Sequence, residues 1–185
     1  MKIRDWEVIK YRKVTSTMDV AKNFLGRDEK IVILAEEQTE GRGRYGNKWI
    51  SPKGGLYFSL IVKKNEITDF LSEITAISLI ETLNNFNIKD CKIKFPNDII
   101  IKGKKISGIL IEQSGNFYIV GVGMNIEQNQ NLKKYGYITM EDVLKTKINI
   151  EDVLLSFIKN FDTTSDLFKK NYELGIKRWS ENLIK

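Results

Sequence analysis

The chain has 185 residues, enough for one domain with a sizeable core. With no histidine and one cysteine, it excludes internal disulfides, histidine triads and histidine-ligated metals. Its formal net charge of +6 fits general solubility as well as an anionic ligand or nucleic acid. The longest apolar run, Ile31-Val32-Ile33-Leu34-Ala35, falls far short of the roughly 20 residues of a membrane helix. Residues 1–13 lack a signal-peptide core, so the sequence predicts a cytoplasmic protein with no membrane partner.

Residues 7–14 alternate as a strand does. Ser16-Thr17-Met18-Asp19 has the form of a capping box and predicts a short helix running to Leu25. Residues 30–36 read as a buried strand. Residues 38–54 lack any period and form a long, basic, glycine-rich loop, a length that usually signals function. A strand over 55–63 follows, then an amphipathic helix over 67–87 with apolar residues at helical spacing from Phe70 to Phe86. Short strands are expected at 91–95, 98–102, 105–113 and 117–124, and two helices at 150–162 and 164–183. The pattern is one α/β (α+β) domain over 1–185, a mixed sheet flanked by helices.

Basic residues gather in two loops. Residues 41–65 carry Arg42, Arg44, Lys48, Lys53, Lys63 and Lys64 without an acid, and a second cluster includes Lys94, Lys104 and Lys105 around Asp98. Two local clusters suit a small anionic ligand better than a DNA face. Gly41-Arg42-Gly43-Arg44-Tyr45-Gly46 matches the dinucleotide fingerprint literally. No helix can open there, because Pro52 follows shortly, and the position for a ribose-binding acid falls in Ile61–Lys64. A Walker A loop fails too, since Asn47 replaces its lysine. What remains is a turn-prone backbone with inward N–H groups, two planar guanidinium forks and the aromatic face of Trp49. Further on, Asn97 and Asp98 follow Pro96, and Lys105 can bring its ammonium to the same pocket. The strand of Gly121-Val122-Gly123-Met124-Asn125 ends on an amide. Any metal here is expected to be a hard cation such as Mg²⁺ beside phosphates.

In order, STM at 16–18, Gln38 with GRGRYGNKW and SPKGGLYFS, KFPND, KKISGIL and GVGMN resemble the biotin protein ligase family over residues 16–125. The resemblance implies the fold shared by biotin and lipoate ligases and class II aminoacyl-tRNA synthetases. It also implies ATP-dependent transfer of biotin, through biotinyl-AMP, to a lysine of a biotin carboxyl carrier protein, with Mg²⁺. Ser16, Thr17, Met18 and Gln38 match biotin-binding positions. Gly41, Arg42, Gly43 and Arg44 match the loop that folds over biotin and its adenylate, and Lys105 and Gly108 match further biotin-binding positions. Trp49, Asn97 and Asn125 match ATP-binding positions, Asp98 an acid associated with Mg²⁺, and Lys105 the catalytic lysine acting with Arg42 and Arg44.

The chain departs from the family at Asn47, often Arg, at Phe95, commonly Trp, and at Met18-Asp19, usually a more polar pair. Strand signals from residue 7 and an end soon after Trp179 resemble a monofunctional type with neither a DNA-binding domain nor a C-terminal β-domain; a homodimer is possible. Cys91, in an apolar strand, is expected to be inert. The competing readings are a lipoate or octanoate ligase or transferase of the same fold, and a biotin-binding protein without turnover.

Overall fold

A computed structural model describes residues 1–27, 29–65 and 67–173. Eight strands form one sheet: β1 (Lys2–Ile3), β2 (Trp6–Tyr11), β3 (Lys30–Ala35), β4 (Gly55–Lys63), β5 (Lys92–Lys94), β6 (Asp98–Ile101), β7 (Lys104–Ser114) and β8 (Phe117–Asn125). Their order is β1-β2-β3-β4-β8-β7-β6-β5. Only β2 and β3 run parallel, joined by the crossover that carries α1 (Thr17–Lys22); the other pairs are antiparallel. The sheet is therefore mixed, as the strand-rich second half of the sequence requires.

Alternation along each strand sorts side chains between two faces. Leu56, Phe58 and Leu60 of β4, with Val120, Val122 and Met124 of β8, face α2 (Leu71–Asn85) and α5 (Ile150–Glu173). Phe58 meets Phe157 edge-on at 4.9 Å between ring centroids. Ile31, Ile33, Ile61 and Ile119 face the other way and bury Met18 and Ala21 of α1. Burying each such large side chain contributes roughly 1.5–3 kcal/mol.

Several boundaries move for identifiable reasons. The helix expected over 67–87 begins with a 3₁₀ turn at Thr68–Phe70, and α2 occupies Leu71–Asn85. It is less amphipathic than its spacing suggests: within α2 only Glu81 and Asn85 are exposed. Thr75, Ser78 and Thr82 are buried because each hydroxyl donates to the carbonyl four residues back.

The two helices expected at 150–162 and 164–183 are one helix through the first stretch and on to Glu173; residues 174–183 lie outside the described residues. Thr163 and Thr164 do not break it. Val153, Leu154, Phe157, Phe161 and Phe168 make one continuous buried stripe, and Thr163 returns its hydroxyl to the Lys159 carbonyl at 2.9 Å. The first helix stops at Lys22 rather than Leu25, and its capping box is half formed. Ser16 Oγ accepts from the Met18 N–H at 3.3 Å, while Asp19 turns to Lys22 and Arg42. Helices α3 (Gln130–Lys133) and α4 (Met140–Leu144) occupy a stretch that carried no sequence expectation. Among the described residues, no helix is long and apolar enough to cross a membrane.

Candidate active site

A cavity of about 400 Å³ lies on the α1 face of the sheet. Its floor is the centre of the β7–β8 ladder, where Gly108 pairs with Gly123 and Leu110 with Gly121. The glycines are needed for close approach, because a Cβ at 121 would stand 2.7 Å from Met18 Sδ and one at 123 would collide with the Trp49 indole. Met18 and Trp49 are consequently buried directly against backbone.

One end of the cavity is polar and neutral. Gln38 Oε1 accepts from the Thr17 N–H at 2.8 Å and from its hydroxyl at 3.2 Å, and Ser59 donates to Thr17 Oγ1 at 2.8 Å. Gln38 Nε2 donates to Ser51 Oγ at 2.9 Å, and Ser51 donates to the Trp49 carbonyl at 3.0 Å. These bonds hold the start of α1 to the return of the 38–54 loop. That loop is therefore structured: single bridges join Gln38 to Ser51 and Arg42 to Lys48, and a 3₁₀ turn spans Arg44–Gly46. At its far end Tyr57 donates to the Pro52 carbonyl at 2.8 Å.

The opposite end is cationic. Lys105 Nζ sits 2.7 Å from Asp98 Oδ1 and 4.8 Å from the centroid of the Trp49 ring, whose other neighbour is Tyr137, stacked at 5.8 Å and 20°. Arg44 reaches across the opening and donates to Asn97 Oδ1 at 3.4 Å and to the Tyr45 hydroxyl at 2.9 Å. Asn97 is fixed from behind: its Nδ2 donates to the Ile109 carbonyl at 3.0 Å, and its own carbonyl accepts from the Ile109 N–H at 2.9 Å. The peptide bond between Phe95 and Pro96 is cis.

Arg42 is held differently from Arg44. Its guanidinium is clamped between Asp19 of α1 and Glu112 of β7, the latter at 3.1 and 3.3 Å. The hydrogen bond from Arg42 holds the Asp19 carboxyl below its ordinary value, against the opposing effect of partial burial. A lowered folded-state pKa means that this clamp contributes stability above the unfolded value near 3.8 and loses it as pH falls through the lowered one. The clamp is thus complete at neutral pH. It ties the glycine loop to both walls of the cavity, so Asp19→Asn is expected to speed trypsin cleavage after Arg42, Arg44 or Lys48 several-fold at pH 7 without moving the thermal midpoint much. Unchanged cleavage would show that the loop is held without it.

Of the residues singled out in the sequence, Ser16, Thr17, Met18, Gln38, Arg42, Gly43, Arg44, Trp49, Asn97, Asp98, Lys105 and Gly108 line this one cavity. Gly41 lies outside it, wedged beneath Trp49 and Ser51. Asn125 is fully buried and off the wall; its Nδ2 donates to the carbonyls of Lys105 at 3.4 Å and Ile138 at 3.3 Å, so it braces the backbone that carries Lys105. Sequence reasoning missed Tyr137, and it missed Asp19 and Glu112 as partners of Arg42. A period-two reading of β8 puts Gly121 and Gly123 on one face and was the available signal for the floor. Cys91 is half-buried just ahead of β5, and burial, with Asp90 adding to it, pushes its thiol up to about 11. It stays a protonated thiol at neutral pH.

Residues 10–129 match the family described as Biotin/lipoate A/B protein ligase family. Biotin–protein ligase 2 of Arabidopsis thaliana is 31% identical over 183 residues, which cover 91% of this chain and 54% of that protein. The chain spans about half the length of the curated relatives it matches. Among solved structures, a biotin protein ligase from Aquifex aeolicus in complex with biotin and ATP superimposes with a TM-score of 0.78 at 31% identity, covering 90% of this chain and 72% of that one. P. falciparum LipL1 in complex with lipoate shares the fold, with a TM-score of 0.65 at 14% identity, over 88% of this chain and 62% of its own.

Proposed function

The chain belongs to the biotin/lipoate A/B protein ligase family, and from that premise we propose that it activates biotin with ATP and transfers it to a lysine of a biotin carboxyl carrier protein. The observation that carries this reading is one cavity with a neutral polar end at Thr17 and Gln38, a glycine floor, and a cationic end at Lys105 and Arg44. A ring with polar edges, an aliphatic arm and a carboxylate would span those three zones in that order. The dithiolane of lipoate offers no hydrogen bonds and would leave the polar end unmatched, which disfavours the lipoate reading.

In the first step an oxygen of the biotin carboxylate attacks the α-phosphorus of ATP, and the bond to the bridging oxygen of pyrophosphate breaks. Negative charge grows on the phosphoryl oxygens, and fixed cations are the groups that stabilise it. Lys105 is the residue we assign to that charge, exchanging its contact with Asp98 for the carboxylate and phosphate. Arg44 closes over them from the loop, and Arg42 keeps the loop in place. In the second step the acceptor's neutral lysine amine attacks the acyl carbon, the C–O bond to AMP breaks, and the amine releases a proton. Gly43 and the closed loop would limit attack by water on the mixed anhydride.

Trp49, with Tyr137 stacked on it, supplies the aromatic surface at the end of the cavity where the adenine would lie. Mg²⁺ fits the donors present. Asp98 supplies a carboxylate beside Lys105, while no group of three His, Cys, Asp or Glu among the described residues could cage a metal alone. An ion held mainly by ATP phosphates needs only one or two protein carboxylates, and its charge offsets theirs when bound.

Incubation with Mg-ATP and biotin, with lipoate in a parallel reaction, is expected to yield biotinyl-AMP and no lipoyl-AMP by mass spectrometry. Biotin bound without any adenylate would establish the binding-protein reading instead. Lipoyl-AMP alone would place the chain with the lipoate ligases.

A further inference from the structure

Among the described residues Glu141 is the one charged residue that is buried, at 4% exposure. Burying a carboxylate is unfavourable unless hydrogen bonds replace its water, so the partners it gathers reveal its role. Glu141 Oε2 accepts from the Gln128 N–H at 3.2 Å, and Oε1 accepts from the Ile148 N–H at 3.3 Å. Its own N–H donates to the Ile126 carbonyl at 3.0 Å, and its carbonyl accepts from the Lys145 N–H at 2.9 Å. One residue thus ties the exit of β8 to the chain that leads into α5. Lys147 also reaches Oε2, at 3.4 Å, but its side chain is 88% exposed.

Between these tethers runs a stretch that packing alone holds poorly. From 127 to 138 Leu132 is the one buried residue. The stretch nonetheless ends at the site. Tyr137 lines the cavity, stacks on Trp49 and bridges Lys105 in parallel. The Ile138 N–H donates to the Lys105 carbonyl at 3.0 Å, and Thr139 then caps α4, the helix that carries Glu141. The aromatic wall and the backbone support of Lys105 therefore stand immediately before the carboxylate in the chain.

We infer that Glu141 is a positioning residue for the nucleotide half of the reaction. It touches no substrate. By knotting Ile126 and Gln128 to Lys145 and Ile148, it sets where Tyr137 lies against Trp49 and where the support beneath Lys105 sits. The backbone bonds do this, and the exposed Lys147 adds little. The inference rests on the reading above for the identity of the nucleotide.

The test is a calorimetric titration of the full chain with Mg²⁺ and α,β-methylene-ATP, which cannot be cleaved at the reacting bond, and separately with biotin. Glu141→Ala leaves two N–H groups without acceptors and is expected to weaken nucleotide binding at least tenfold, with biotin affinity within twofold of wild type. The KM for ATP should rise in step during adenylate formation, with a smaller change in kcat. Glu141→Gln keeps one side-chain oxygen as an acceptor and should restore part of the loss; it carries the test if the alanine variant does not fold. Lys147→Gln should bind nucleotide as the wild type does. Leu83→Ala, a core deletion in α2 on the far face of the sheet, is the control for lost stability and should leave nucleotide affinity unchanged. Wild-type nucleotide affinity in a folded Glu141→Ala protein would overturn the assignment. So would equal weakening of nucleotide and biotin, or the same selective loss in Leu83→Ala or Lys147→Gln. A wild type that binds no nucleotide would instead sink the reading above, which separates the two failures.

Discussion

Lys105→Ala is expected to reduce biotinyl-AMP formation by roughly 10²–10³-fold, the range found when one fixed donor to a developing anion is removed. The loss should fall on the rate at saturating substrate more than on biotin affinity, because the polar end at Thr17 and Gln38 is untouched. The fold should survive. Lys105 stands at the start of a long central strand, and Asp98 lines the open cavity, so water filling the space left by the lysine can reach the Asp98 oxygen buried beneath it. Stopped-flow detection of pyrophosphate, paired with a thermal melt, separates the two effects. A variant with near-normal rate would remove Lys105 from the chemistry and leave Arg44 as the cation to test next.

Gly123→Ala is the second large effect, and it acts through shape rather than charge. The added methyl would occupy space held by the Trp49 indole, which is itself buried and stacked on Tyr137. An indole in a packed site has no small adjustment available, so Trp49 must leave its place. Overpacking of this kind costs about 1–3 kcal/mol of stability. The displaced ring should also raise the KM for ATP tenfold or more and redshift tryptophan emission, while biotin binding changes little. Gly121→Ala makes the control, because the atom in its way is the sulfur of a flexible methionine at 2.7 Å. If both substitutions alter ATP and biotin binding equally, Trp49 is not the nucleotide-side element proposed.

The cavity was legible in the sequence to the extent that its residues cluster in short motifs. The segment from Gly41 to Trp49, the pair Asn97 and Asp98, and Lys105 each carry their chemistry within a few residues, and all but Gly41 and Gly46 reach one cavity. Asn125 illustrates the limit. Its residue type and strand position suit a ligand contact, but the segment around Ile138 folds over it and turns the amide to backbone carbonyls. Arg42 illustrates the same limit for charge: Glu112 lies 70 residues away, and only the position of β7 beside the loop brings the two together.

The sequence by itself determined the strands of the sheet from β2 onward, because period-two alternation and turn residues are local and strong; β1 (Lys2–Ile3) is too short to show an alternation and forms only by pairing with β2. It also determined the chemistry that this protein can bring to an anionic substrate: guanidinium, ammonium, carboxylate and amide, without histidine or a reactive thiol. The tertiary structure alone decided which cation is free and which is clamped, which glycines are required, and which aromatic rings face water. Those outcomes depend on contacts between residues distant in the chain, such as Gly123 with Trp49 or Arg42 with Glu112. No local preference encodes such contacts; they exist only once the strands have paired in register and buried their apolar faces.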